Sequence, residues 1–463
     1  MSRTMIKPEQ PAGFRDYSPK QMITRRQMIQ KIESVYLRFG FLPLQTSTGH
    51  KRQVLTGGKN ISNRLWNMHV DTSSLMTEVD QQVSARFDLT VPLARFVASN
   101  IGEISWPFRR FEVGNVFRGE SPQAGRYCEF MQFDADIVGA TAGPADAEII
   151  ACMATVMREI GIERFVIKIN NRKVLNGFAA QFGFEPNSGS TAALLRTMDK
   201  LDKIGLRGVL SELQSKTPPP GEEDIFAFDD AQIEQVVGFL QLTDHCTTNA
   251  ERLAALEAYF EDGPGLEGVE ELKLIAQLLE ASGVKAEQWM IDPAVARGLG
   301  YYTGPVFETF LLDKPEFGSV YSGGRFDDLV ARFTGESLPS VGASIGVDRL
   351  FAALESLDAI DQDQPEVDVF IITMDQKLLG DYFAIASELR AAGLRVEVNM
   401  NYQDTSNRAQ MSIALKRGAP IVLFYGSREA ASGTIAVKDT RARKQETIAR
   451  AELADYIRGL LND

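Results

Sequence analysis

Two arginines and a carboxylate in one short stretch have the types and spacing to grip a phosphate-bearing ligand. Residues 118–136 read RGESPQAGRYCEFMQFDAD, and Arg118, Glu120 and Arg126 fall in a turn-rich loop that contains Pro122 and Gly125. A planar guanidinium binds phosphate or carboxylate bidentately and stays charged. The strand that follows alternates strictly. Successive side chains on a strand point to opposite faces, so Phe130, Gln132, Asp134 and Asp136 share one face, while Met131, Phe133, Ala135 and Ile137 share the other and read as core. Polar groups in a row on a strand that is otherwise apolar line a pocket. The arrangement suits a polyanion beside a small polar ligand. Taken by itself, the stretch also reads as an Arg/Glu surface hairpin.

Other segments carry candidates of the same kind. In RFDLTVPLARFVA, Asp88, Leu89 and Thr90 stand just before a helix. A carboxylate there either meets a ligand ammonium or caps the helix, and alone the cap is the commoner role. VARGLGYYTGPVFE (295–308) offers Arg297 and the adjacent Tyr301 and Tyr302, which without context read as core tyrosines. YSGGRFDDLVARF (321–333) and SVGASIGVDRLF (340–351) supply glycines that let a backbone approach a ligand closely, and Arg349.

These residues need elements to hold them. Ser18-Pro19 is a helix start, and Met22, Ile29, Ile32, Tyr36 and Phe39 recur at helical spacing before Gly40. VPLARFVASN reads as helix and FRRFEVGNVFR as strand; 144–160 reads as an amphipathic helix and FVIKI (165–169) as a buried strand. The order implies an α+β sheet with helices packed against it. From 171 to 283 the chain turns to Leu-rich charged helices with a break at TPPPGEED, an inserted helical subdomain. Strand pattern returns at PVFETFLL, 356–366 reads as a polar linker, and DVFIITM, LRVEVNM and PIVLFYG alternate with helices as a small α/β domain with a mostly parallel sheet.

At 463 residues the chain holds two or three domains, and its 44% hydrophobic and 24% charged residues are those of a soluble globular protein. No apolar run is long enough to span a membrane, and the first residues lack the apolar core of a signal peptide, so a reducing cytoplasmic location is expected. Cys128, Cys152 and Cys246, with His50, His69 and His245, have neither disulfide nor zinc spacing, so no metal held by protein side chains is expected. A net charge of −13 argues against a generic nucleic-acid binder. Residues 368–463 carry 13 Lys+Arg and 12 Asp+Glu, net +1, leaving 36 and 50, net −14, in residues 1–367. RNA would meet least repulsion at the C-terminal domain.

The 118–136 segment resembles motif 2 of class II aminoacyl-tRNA synthetases in its histidyl-tRNA synthetase form, R-x-E-x-P-Q-x-G-R-x-R-E-F-x-Q-x-D-x-D. The one departure is Cys128, where the family usually has arginine. Residues 295–308 resemble R-G-L-D-Y-Y-T-G-x-V-F-E with Gly300 in place of the aspartate, 321–333 the G-G-R-Y-D-x-L-V element, and 340–351 motif 3. PAGFRDYSP resembles the opening G-x-R-D-x-x-P; TSTGH (46–50) is the poorest match, with Ser47 and His50 where T-P-x-x-E is usual. INNRKVLNG and LRTMDKLDKIG are similar to the family's insertion, and GAPIVLFYGSREAASGTIAVKD to its anticodon-binding domain.

The resemblance implies a class II antiparallel sheet flanked by helices. It divides the chain into a catalytic core (1–170 and 284–355), a helical insertion (171–283), a linker (356–366) and an anticodon-binding domain (367–463). It implies an enzyme that activates L-histidine with ATP, Mg2+ accompanying the nucleotide, and then transfers histidine to the terminal adenosine of tRNA-His, as a homodimer. Arg118 and Arg297 are carried over as the catalytic cations on α-phosphate and carboxylate. The histidine pocket takes Asp88, Leu89, Thr90, Arg118, Gln132, Asp136, Arg297, Tyr301 and Tyr302. ATP takes Arg118, Glu120, Arg126, Phe130 and Arg349. The alternative is a catalytically silent paralogue that regulates ATP phosphoribosyltransferase; such paralogues usually lack the anticodon domain and lose the motif arginines, which are present here.

Overall fold

A computed structural model describes residues 7–57, 65–68, 83–119, 127–186, 188–215, 227–296, 301–360, 364–400 and 406–462. The chain forms two compact units, Met1–Arg15 with Met28–Ala359 and Asp16–Gln27 with Ile360–Asp463. The first helix runs Pro19–Arg38. Ser18 opens it reciprocally: the Gln21 amide donates to Ser18 Oγ and the Ser18 amide to Gln21 Oε1. Beyond its end Gly40 takes φ +76°, a left-handed value that glycine adopts without strain.

The larger unit is built on an eight-stranded sheet. From one edge its strands are Leu42–Pro43, Phe108–Phe117, Glu129–Val138, Ser340–Gly346, Ser319–Arg325, Pro305–Leu311, Phe165–Asn171 and Trp289–Ile291. The six central strands pair antiparallel, and each short edge strand pairs parallel. Register carries one row of side chains across the sheet: Glu112, Asp134, Ser344, Ser322, Glu308 and Lys168 lie opposite one another in turn. The row beside it runs Arg110, Asp136, Gly342, Gly324 and Val306. On the other face of Glu129–Val138, Phe133 sits between Tyr36, at 4.9 Å between ring centroids, and Phe111, at 5.8 Å. Phe133, Ala135 and Ile137 are fully buried, as the alternation implies.

The helix Pro144–Glu159 is buried on nearly all sides rather than along one stripe, because it lies between the sheet and the long helix Gly263–Ala281. Its Asp146 takes Arg325 bidentately, Nε at 3.0 Å and Nη2 at 2.8 Å, with both side chains buried. The arginine of the G-G-R element is therefore a tie from sheet to helix. Removing one partner of a buried pair strands the other charge, so Asp146→Ala is expected to cost about 3–5 kcal/mol, read as a lower urea midpoint. The double change Asp146→Leu with Arg325→Met recovers most of the loss if the pair is purely structural.

Among the described residues, six α-helices lie between the strands Phe165–Asn171 and Trp289–Ile291: Arg172–Ala180, Gly189–Met198, Leu201–Gln214, Asp230–Leu240, Asn249–Tyr259 and Gly263–Ala281. The TPPPGEED break falls outside the described residues.

In the second unit Val369–Thr373 pairs parallel with both Val396–Val398 and Ile421–Tyr425. Thr434–Asp439 and Lys444–Ala449 then add an antiparallel hairpin. The sheet is therefore mixed, not mostly parallel. Thr434–Asp439 returns after one short helix, Ser427–Ser432, and Arg443 at φ +54° makes the tight turn into the last strand. Among the described residues no helix is long and apolar enough to cross a membrane.

Candidate active site

The site face belongs to the strands Phe108–Phe117 and Glu129–Val138, the segment before helix Thr90–Ser99, and the Tyr301-Tyr302 turn. Arg118 ends the first of these strands. Its Nε donates to the carbonyl oxygen of Phe87 at 3.1 Å, and its guanidinium lies 5.0 Å from the centroid of the Phe130 ring. The strand therefore opens with a stacked cation and ring. Gln132 comes next on the same face, where its Nε2 donates to Ser344 Oγ at 2.9 Å while Oε1 has no hydrogen-bond partner among the described residues. Asp134 and Asp136 follow, both buried.

Their ionisation is set by that burial. Burial pushes the Asp134 carboxyl well above the usual carboxylate range, against the pull of Arg110. Burial likewise raises Asp136 to about 6, again opposed chiefly by Arg110, whose Nη2 stands 2.8 Å from Asp136 Oδ2. Gly342 lies directly opposite Asp136, and a Cβ there would sit 1.9 Å from Asp136 Oδ1. At Gly324 a Cβ would meet the Tyr302 ring at 3.1 Å. The glycines of the G-G-R element and motif 3 thus make room for neighbouring strands and side chains that shape the pocket.

Asp88 takes the capping role. Its Oδ1 accepts the Val91 amide at 3.0 Å, as a cap does, and its buried carboxyl is raised by burial against the pull of Arg118 and Arg110. Leu89 is buried, and its carbonyl oxygen accepts Arg110 Nη2 at 3.0 Å; Thr90 opens the helix and is buried. Tyr301 and Tyr302 meet edge-on at 4.8 Å. Burial raises both phenols, and the charges around them are Asp88 and Arg118 for Tyr301, and Asp134, Asp136 and Asp88 for Tyr302. Asp88, Arg118, Asp136 and the two tyrosines therefore lie within electrostatic reach of one another.

Arg349 is held separately, its Nη1 donating to the Ser319 carbonyl oxygen at 2.8 Å. The residue before it, Asp348, takes the Met131 amide at 2.6 Å and so ties the start of helix Val347–Ser356 beside Phe130. Glu120, Arg126, Arg297 and Gly300 lie outside the described residues.

Three residues of the site went unread in the sequence: Arg110, Glu112 and Arg86. Their signal was present. In FRRFEVGNVF, period-two alternation puts Arg110 and Glu112 on one face of a strand between buried aromatics, and register sets them opposite Asp136 and Asp134.

A family model described as histidyl-tRNA synthetase matches residues 13–350, and an anticodon binding domain model matches 368–460. The chain belongs to the histidyl-tRNA synthetase family. A histidine–tRNA ligase of Paracoccus denitrificans (strain Pd 1222) is 40% identical, the match covering 98% of each chain. A histidine–tRNA ligase of Rhodopirellula baltica is 37% identical over 96% of each. Among solved structures, histidyl-tRNA synthetase from Nostoc sp. PCC 7120 superposes with a TM-score of 0.79 at 29% identity, covering 98% of this chain and 99% of that one. The class II fold expected for a histidyl-tRNA synthetase is the fold observed.

Proposed function

We propose that the chain is a histidine–tRNA ligase, which condenses L-histidine with ATP to histidyl-adenylate and then transfers histidine to the 3′-terminal adenosine of tRNA-His. One observation carries the assignment of the pocket. Along a single strand, the Arg118–Phe130 stack gives way to Gln132, Asp134 and Asp136, so a nucleotide end and an amino-acid end are continuous. Activation brings a carboxylate onto the α-phosphate, two anions that repel. Fixed cations aimed at the charge that develops there lower the barrier. Arg118 has that task, with Arg297 as its partner. Phe130 offers a ring face to adenine, Glu120 reads the adenine edge, and Arg126 and Arg349 hold the distal phosphates.

The neutral imidazole has one N–H donor and one acceptor nitrogen. Asp136 takes the N–H, and the tyrosine hydroxyls offer donors to the other nitrogen, beside the Asp134 carboxyl that burial raises. Asp88 and Gln132 Oε1 receive the ammonium at the helix start formed by Leu89 and Thr90. Among the described residues no group of three or more His, Cys, Asp or Glu side chains is placed to hold a metal ion. Mg2+ would arrive with ATP, bound mainly by phosphate oxygens and water. The enzyme acts as a homodimer in the cytoplasm, with a catalytic core (1–170 and 284–355), insertion (171–283) and anticodon-binding domain (367–463). The match to an anticodon-binding model, with Arg118 and Arg349 in place, weighs against the regulatory paralogue.

Purified protein is expected to catalyse histidine-dependent pyrophosphate–ATP exchange and to charge tRNA-His. Background exchange in a preparation that binds histidine measurably would refute the enzyme and favour the regulatory paralogue.

A further inference from the structure

Behind Asp136 the pocket floor continues as a chain of buried charges. Arg110, fully buried, reaches Asp136 at 2.8 Å with Nη2, while its Nη1 stands 3.8 Å from Glu112 Oε2. Glu112 in turn holds Arg86 Nη1 at 2.7 Å and accepts the Thr46 amide and hydroxyl, each at 2.9 Å. Arg86 Nη1 also donates to the Thr46 carbonyl oxygen at 3.0 Å. Opposite charges thus alternate Asp136, Arg110, Glu112, Arg86 and end on a backbone segment. Arg110 cannot swing away, because its strand register sets it opposite Asp136 and Leu89 accepts from the same Nη2.

A buried carboxylate without a cation takes a proton and becomes donor as well as acceptor. Paired with a guanidinium, it keeps its charge to lower pH and, once ionised, is acceptor only. A pocket floor of that kind requires an N–H from the ring that enters. A site built to hydrogen-bond such a group rejects analogues lacking it far more strongly than an apolar pocket rejects a missing methylene.

We infer that Arg110 is the positioning residue that sets ring specificity: paired with Asp136, it keeps that carboxylate an acceptor at the pocket floor, so that the pocket takes rings presenting an N–H, with Glu112 and Arg86 completing the buried charge chain around Arg110. The inference rests on the reading of this face as the histidine pocket. Among the described residues, the groups that face Asp136 are Arg110 and Glu112 on the neighbouring strand, Asp88 before the helix, Asp134 on its own strand, and the hydroxyl of Tyr302; Gly342 on its other side carries no charge. Arg110 is the main influence that pulls the Asp136 carboxyl down. Its loss therefore raises that carboxyl and moves the acid limb of histidine use to higher pH.

The test uses Arg110→Gln, which removes the charge, and Arg110→Lys, which keeps it. For each, kcat and KM for histidine in pyrophosphate exchange are followed from pH 5 to 9, with 2-thiazolylalanine, whose ring has no N–H, as the competing amino acid. The wild type is expected to discriminate against the thiazole by roughly 10⁴-fold. Arg110→Gln is expected to move the acid limb of kcat/KM up by about one pH unit or more. Its KM for histidine rises more than kcat falls, and discrimination drops at least about tenfold. Arg110→Lys keeps the acid limb near its wild-type place while KM rises. Because histidine is the ligand throughout, its own titration cancels between variants. An unmoved limb and intact discrimination in Arg110→Gln overturn the inference while leaving the ligase reading standing. If that variant does not fold, a limb displaced in Arg110→Lys overturns it instead. A wild type with no histidine-dependent exchange removes the functional reading first.

Discussion

Arg118→Ala is expected to lower kcat for histidine-dependent pyrophosphate exchange by about 10²–10³-fold, the scale seen when one preorganised donor to developing charge is removed. The loss belongs in kcat as much as in KM, since the guanidinium is asked to stabilise the crowded α-phosphate more than either substrate alone. Folding is expected to survive. Arg118 is half-buried, and its described contacts are one carbonyl oxygen and the face of Phe130. Arg118→Lys should recover little, because an ammonium lacks the planar fork and stacks poorly. Rapid-quench exchange with a parallel thermal melt decides the matter. A folded Arg118→Ala enzyme that keeps more than a tenth of wild-type kcat places Arg118 away from the reacting atoms.

Gly342→Ala acts by geometry alone. The added methyl carbon would lie 1.9 Å from Asp136 Oδ1 and 2.9 Å from the Ala135 carbonyl oxygen, so the carboxylate or the strand must move. Misplacing a substrate-positioning group by an ångström costs on the order of 10²-fold. The expected result is a fall of that size in kcat/KM for histidine, with the KM for ATP nearly unchanged. Overpacking is expected to cost about 1–3 kcal/mol of stability as well. Initial rates with histidine and ATP varied separately give the answer, and an unchanged histidine KM removes Asp136 from the pocket.

The parts of the site that could be read from the sequence are those where one strand or one turn suffices. Alternation within 129–138 separated Phe133 and Ile137 from Gln132 and Asp136, and Ser18-Pro19 marked its helix, because both follow from local periodicity and capping. What resisted reading depends on partners distant in the chain. Arg110 and Glu112 look like surface charges until register sets them against Asp136 and Asp134. Arg325 has no readable role in the sequence until Asp146, from a helix 179 residues earlier, closes on it. The all-round burial of Pro144–Glu159 likewise requires knowing that Gly263–Ala281 covers its outer side. His50, where the family has glutamate, shows a third pattern. Its Nε2 is 2.7 Å from the Ser47 carbonyl oxygen, and burial, aided by Arg95 and Arg86, lowers its pKa against the pull of that hydrogen bond, so a charged position has become a backbone tie.

The sheet register also dictates an order of events during synthesis. Asp136 finds Arg110 among residues already made, but its other neighbour is Gly342. Roughly 200 residues must leave the ribosome between the strand Glu129–Val138 and its second partner, which takes about 10–40 s at ordinary elongation rates. Through that interval one edge of the strand is open, and the helices between residues 172 and 281 emerge before it closes. The nascent chain therefore carries a strand with one unpaired edge and an apolar face of Met131, Phe133, Ala135 and Ile137. Yield in a foreign host should depend on how that edge is kept from pairing elsewhere until residue 346 arrives.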